Sequence, residues 1–206
     1  MNTKDKIILT AIKLFNLHGT KAISTNHIAK EMGISPGNLY YHFRSKNDII
    51  RSISDNFSNE LGSVLKIQLD TISDFSSNLT SLFNRFFKIQ QSYQFLFLEG
   101  VHLAKQDSRL LDNYTNLRIL IKRGYLELLS NLVKIKIMKK QSLNIIDDLL
   151  DAQWIIMWYW INHTILDRNT YDDFQIKKGI KLSFSIIKPQ LTSIGKVAFD
   201  RTLQTL

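Results

Sequence analysis

The chain has 206 residues, a formal net charge of +9, 44% hydrophobic residues, two prolines and eight glycines. That composition supports a substantial core and long uninterrupted helices, arranged as one large domain or as a small head on a larger body. There is no cysteine, which excludes disulfides, thiolate nucleophiles and thiolate metal sites together.

Residues 1–50 carry seven Lys/Arg against three Asp/Glu, so the positive excess is densest in the first quarter. A basic head suits DNA or an anionic membrane surface, although such charge can also serve only solubility. The first fifteen residues, with Asp5 among them, read as an amphipathic helix rather than a secretion signal. The longest apolar run, Trp154–Ile161, falls far short of the roughly 20 residues that a spanning helix needs. The expectation is a soluble, cytoplasmic protein with no membrane partner.

Helical periodicity predicts an all-α fold. Ile8, Ala11, Ile12 and Phe15 share one face of the first helix, and Gly19 follows as a stop. Ile28, Ala29 and Met32 form the second stripe, closed by Gly33 in a left-handed turn from which Ile34 packs back. Ser35 as a cap and Pro36 at the first helical position open a third, short helix. Ser45 and Asp48 form a capping-box pattern for a fourth helix carrying Ile49, Ile53, Phe57, Leu61 and Val64. Further helices are predicted over 73–91, 93–104, 108–137, 145–168 and 172–188, two of them capped by Asp107 and Asn144. Breaks are expected at 139–142 and 167–170, and at Pro189. The tail 190–206 is left open, with one more short helix as an option.

In the third helix Leu39 and Phe43 lie four apart and face inward against Phe15, Ile28 and Ala29. Gly37, Asn38, Tyr40, Tyr41 and His42 are then left outward or sideways. Such a row can address phosphates and base edges in the DNA major groove. Lys46, at a helix start, adds a cation for a phosphate. The bland alternative is a structural corner.

Phe15, Gly19, Thr25, Ile28-Ala29, Gly33, Ser35, the run Gly37-Asn38-Leu39-Tyr40-Tyr41-His42-Phe43 and Lys46 resemble the N-terminal region of the TetR/AcrR family of bacterial transcriptional regulators. The resemblance covers about residues 4–50 closely and the rest loosely, by length and helical pattern. It implies a helix-turn-helix three-helix head at 1–50 and a larger helical-bundle regulatory domain at 51–206. It further implies a homodimeric repressor that leaves a palindromic double-stranded DNA operator when a small-molecule effector binds. On the resemblance Thr25, Asn26, Ser35, Gly37, Asn38, Tyr40, Tyr41, His42 and Lys46 are the DNA-contacting positions. Tyr40 is expected on the phosphate backbone, with Asn38 and Tyr41 on bases.

Trp154–Ile161 is apolar on every helix face and must be buried on more than one side. With the helix carrying Phe174, Ile176, Ile180, Phe184 and Ile187, it is expected to build a four-helix dimer interface using Trp154, Trp158, Ile161, Ile165, Ile180 and Phe184. The alternative is a core helix of a monomer. Aromatics crowd the body, and a pocket there is expected to use Phe86, Phe97, His102, Tyr114, Trp158 and Asn162. Asn113, Arg118 and His163 are further polar candidates. Such a pocket suits an apolar or amphipathic effector of unknown identity.

Two rival readings remain. Glu99-x-x-His102 has the spacing of a di-metal carboxylate bundle enzyme, but the chain has only four glutamates and no second such pair. A helical protein-binding adaptor would leave Tyr40, Tyr41, His42 and Lys46 without a shared purpose. No enzyme activity, metal or cofactor is expected.

Overall fold

The computed structural model describes residues 1–64, 72–140, 143–167 and 171–205. Among them the chain is helical almost throughout. The elements are α1 (Thr3–Ala22), α2 (Thr25–Glu31), α3 (Pro36–His42), α4 (Lys46–Val64), α5 (Ile72–Ser92), α6 (Gln94–Gln106), α7 (Ser108–Lys134), α8 (Leu143–Leu166), α9 (Asp173–Ile187) and α10 (Ser193–Thr205). A 3₁₀ turn at Lys188–Gln190 follows α9, where Pro189 cannot continue the helix. Among the described residues, β pairing is confined to one isolated antiparallel bridge, Met138 with Leu191. The tail holds α10, the option left open by its composition.

The chain divides into two compact units. One is Met1–Glu60 with Ile89–Leu117, and the other is Leu61–Lys88 with Arg118–Leu206. Residue 50 lies inside α4, which contributes to both units, as α5 and α7 do.

In the first unit Ile8, Ala11, Phe15, Ile28, Leu39, Ile49, Ile53 and Phe57 are buried at the predicted helical spacing, whereas Ile12 is only half-buried and Ile7, outside the predicted face, is fully buried. The Phe15 and Phe95 rings lie 5.2 Å apart, and Phe57 meets Tyr93 and Phe97 edge-on at 5.3 and 5.5 Å. Between α5 and α6 the chain turns at Tyr93, whose own side chain caps nothing. Asn16, from α1, supplies the missing partner. Its amide donates to the Ser92 carbonyl (2.8 Å) and its oxygen accepts the Phe95 N–H (3.0 Å). Asp107 caps α7 as expected, accepting from the N–H groups of Arg109 and Leu110.

In the second unit α8 and α9 run antiparallel. Gln153 Nε2 donates to the Ser183 carbonyl (2.7 Å), and further along Trp160 Nε1 donates to that of Gln175 (2.8 Å). Phe184 lies between Phe83, which it meets edge-on at 4.9 Å, and Phe199, tilted against it at 4.4 Å.

Several expected boundaries move. Gly19 does not stop α1. It kinks it, with φ +75°, and helical turns continue to Ala22. Helix α7 ends at Lys134 rather than 137. Lys136 takes φ +61°, and the N–H groups of Lys136 and Ile137 return to the carbonyls of Val133 and Leu132. Asn144 is the second residue of α8, inside the helix, so it does not cap it. The Ser45 hydroxyl accepts the Asp48 N–H, but the Asp48 carboxylate bonds that hydroxyl rather than the backbone. The breaks expected at 139–142 and 167–170 fall partly on 141–142 and 168–170, outside the described residues.

Candidate nucleic-acid interface

The turn between α2 and α3 is fixed at both ends. Gly33 has φ +65°, the left-handed conformation that costs glycine little. The Gly33 N–H donates to the Lys30 carbonyl and the Ile34 N–H to that of Ala29, which closes α2 in the paired C-terminal pattern. Ser35 then accepts the Asn38 N–H on its hydroxyl (3.2 Å), and Pro36 occupies the first helical position. At the other end of α2, Ser24 and His27 form a capping box, with the imidazole in the place a glutamate usually takes.

Leu39 and Phe43 are buried, and their burial turns the opposite side of α3 outward. Ser35, Gly37 and Asn38 are exposed, Tyr40 is 47% exposed and Tyr41 86%. His42 is half-buried, its ring 5.1 Å from that of Tyr41. On α2, Asn26 is exposed, and the half-buried Thr25 shares a hydrogen bond with the Tyr40 hydroxyl at 3.1 Å. Thr25 and Tyr40 are thus joined across the two helices, while Asn38 and Tyr41 stand clear. Lys21, Lys30 and Arg44 add exposed cations.

Lys46 is half-buried, and its Nζ donates to the Thr20 carbonyl at 2.8 Å. Thr20 is itself buried, and its N–H donates to both Glu99 carboxylate oxygens (3.1 and 3.3 Å) while its hydroxyl donates to Oε2. No local pattern marks Thr20, Glu99 or Asn16 as organisers of this unit. Their partners lie more than 70 residues away, beyond the reach of any local pattern.

The other predicted residues are distributed as follows. Phe97 is buried beside Phe57, Tyr114 is half-buried, and the exposed His102 has its Nε2 3.1 Å from Gln106 Nε2. These three belong to the first unit, and the buried Phe86 and Trp158 and half-buried Asn162 to the second. Asn113 donates to Asp55 at 2.7 Å. Arg118 pairs with Asp151 and lies over the Trp154 ring, and His163 lies 3.5 Å from Asp167. Trp154 stacks on Trp158 at 4.5 Å. Trp158, Ile161, Ile180 and Phe184 are buried within a single chain, where they join α8 to its neighbours, so they cannot themselves form an outer surface. The exposed large apolar side chains of the two helices are instead Ile145, Ile155, Tyr159, Ile165 and Leu166 on α8, and Phe174 and Leu182 on α9. Glu99 of the Glu-x-x-His spacing is committed to Thr20. Among the described residues no group of three or more His, Cys, Asp or Glu is placed to hold a metal ion. No helix among them is long and apolar enough to cross a membrane.

A three-helix head with a short outward-facing third helix, followed by a long helical body, defines a helix-turn-helix regulator. Comparison with known proteins agrees. Residues 7–53 match the family described as bacterial regulatory proteins, tetR family, and residues 56–199 match that described as bacterial transcriptional repressor. An HTH-type transcriptional regulator of Staphylococcus aureus (strain bovine RF122 / ET3-1) is 29% identical over 137 residues, 55% of this chain and 74% of that protein. The regulator QacR of S. aureus (strain Mu50 / ATCC 700699) is 45% identical over 53 residues, 26% of this chain and 28% of QacR. A TetR-family regulator from Marinobacter aquaeolei VT8, solved by crystallography, superposes with a TM-score of 0.83 at 29% identity, covering 100% of this chain and 98% of that one. The chain belongs to the TetR family of bacterial transcriptional regulators. It is a DNA-binding transcriptional regulator.

Proposed function

We propose that the protein is a homodimeric repressor that reads a palindromic operator through α3 of each subunit and releases it when a small apolar or amphipathic effector binds. Residues 1–50 carry the DNA contacts, and 51–206 carry the dimer surface and the effector site. It acts in the cytoplasm. The observation that carries this reading is the exposed pair Asn38 and Tyr41 on a helix of seven residues whose opposite face is locked by Leu39. An amide can pair bidentately with adenine, and a tyrosine ring can cover a thymine methyl. Tyr40, braced by Thr25, is oriented for a phosphate, as Ser35, Gly37, His42 and Asn26 are placed to approach one.

A short helix reads few base pairs, so a second copy about 34–36 Å away supplies the rest of the specificity. The apolar residues left exposed on α8 and α9 favour those helices as the dimer surface. Trp154 and Ile165 lie at its margin, and Trp158, Ile161, Ile180 and Phe184 support it from beneath. Effector release is a population shift: the effector must prefer the arrangement in which the two heads no longer fit one duplex.

The test is fluorescence anisotropy with a duplex selected by the protein from a random library. Asn38→Ala and Tyr41→Ala should each lose roughly 1–3 kcal/mol of preference for the selected duplex over random DNA. Unchanged selectivity in both variants would mean that another surface reads the bases.

A further inference from the structure

The α2–α3 pair, residues 25–42, is bracketed by two residues that meet each other. Thr20 precedes α2, Lys46 begins α4 directly after α3, and the Lys46 ammonium donates to the Thr20 carbonyl at 2.8 Å. Glu99 of α6 holds the same threonine by its N–H and its hydroxyl. All three polar atoms of Thr20 are therefore held by two charged side chains, at a residue only 5% exposed. The site also requires residue 19 to be glycine. Its φ is +75°, and a Cβ there would lie 2.9 Å from Glu99 Oε1.

We propose that Glu99 and Lys46 act through Thr20 as positioning residues for DNA binding. The carboxylate on α6 fixes where both ends of the reading segment sit, and Lys46 serves this clasp rather than a DNA phosphate. The inference rests on the DNA-binding reading above and adds a sign to it. Removing a negative charge from a protein that binds a polyanion ordinarily strengthens binding. A positioning carboxylate does the reverse. Charge-assisted hydrogen bonds to a buried group are strong enough for their loss to matter to alignment.

The experiment uses the full-length protein and measures affinity for the selected duplex, and for a random duplex of equal length, over a series of salt concentrations. Glu99→Gln should weaken binding to the selected duplex about tenfold while leaving random-duplex binding equal or stronger. Lys46→Met should weaken the selected complex with the wild-type salt slope. If it were a phosphate contact, the slope would fall by about one. Thr20→Val, which removes the hydroxyl at nearly constant shape, should behave as Glu99→Gln, and Thr20→Ser should restore affinity. Circular dichroism monitors folding, and if a charge variant does not fold the two Thr20 variants carry the test. Undiminished selected-duplex affinity in Glu99→Gln, a reduced slope in Lys46→Met, or equal weakness of both Thr20 variants would overturn the clasp. Failure of the wild-type protein to bind any duplex would instead sink the DNA-binding reading.

Discussion

Asp107 serves two elements at once. Its Oδ1 accepts the first N–H groups of α7, and its Oδ2 takes Nε and a terminal nitrogen of Arg51 from α4, both at 2.8 Å. Burial alone pushes this carboxyl up, for it is 8% exposed. The Arg51 guanidinium and the Leu110 and Arg109 N–H groups outweigh that, and hold it below its ordinary value of 3.8. The folded protein therefore takes up this proton less readily than the unfolded chain. The resulting stability is fully present above the ordinary carboxylate value and is lost as pH falls through the depressed one. Urea midpoints measured from about pH 6 to about pH 3 should fall more steeply for the wild type than for Asp107→Asn, which has nothing to titrate there. Parallel curves would show that the ionised carboxylate contributes no stability beyond what the neutral amide supplies. The cap was legible in the sequence, since an aspartate before a helical stripe has a local signature. Arg51, 56 residues away, carried no such mark.

Element boundaries divide along the same line. Gly33, Ser35-Pro36 and Pro189 announce themselves because each residue type has a backbone preference of its own. The end of α7 does not, for the left-handed residue is Lys136, where such a conformation costs about 1–2 kcal/mol. Long-range contacts offset it. Ile137 and Met138 are buried, Met138 pairs with Leu191, and Lys139 N–H donates to the Gln190 carbonyl. The Thr192 hydroxyl donates to the Lys136 carbonyl at 2.7 Å and accepts the Gly195 N–H at 3.0 Å, joining the turn to the start of α10. Gly195 is the tightest point of this junction. A Cβ there would lie 2.0 Å from the Ile137 carbonyl oxygen, backbone that cannot turn aside. Gly195→Ala should therefore destabilise the fold by about 1–3 kcal/mol, despite alanine's better helix propensity. A urea midpoint equal to or above that of the wild type would show that the junction can open at little cost.

For the whole molecule, the head was legible because its contacts are local. The turn at Gly33, the cap at Ser35 and the inward pair Leu39 and Phe43 all lie within one short segment, so spacing alone turns Asn38 and Tyr41 outward. The body was legible only in its periodicity. An all-apolar run on α8 says that the helix is covered on several sides, but not which side faces its own chain. The structure gives Trp158 and Ile161 to the subunit and leaves Ile155 and Tyr159 outside, one turn apart on α8. Ile155 is 59% exposed and Phe174, on α9, 69%. Because both are exposed in the single chain, a charge at either should disturb folding by no more than about 0.5 kcal/mol. Within the proposed dimer the same charge would be desolvated without a partner, which an interface does not tolerate. Ile155→Asp and Phe174→Asp should each sediment as a folded monomer at concentrations where the wild type is a dimer. Each should also bind the selected duplex about a hundredfold or more weakly, since two linked half-sites gain by avidity what one cannot. Monomers that keep full operator affinity would mean that one head suffices. Variants that remain dimeric would place the twofold axis on another surface of the chain.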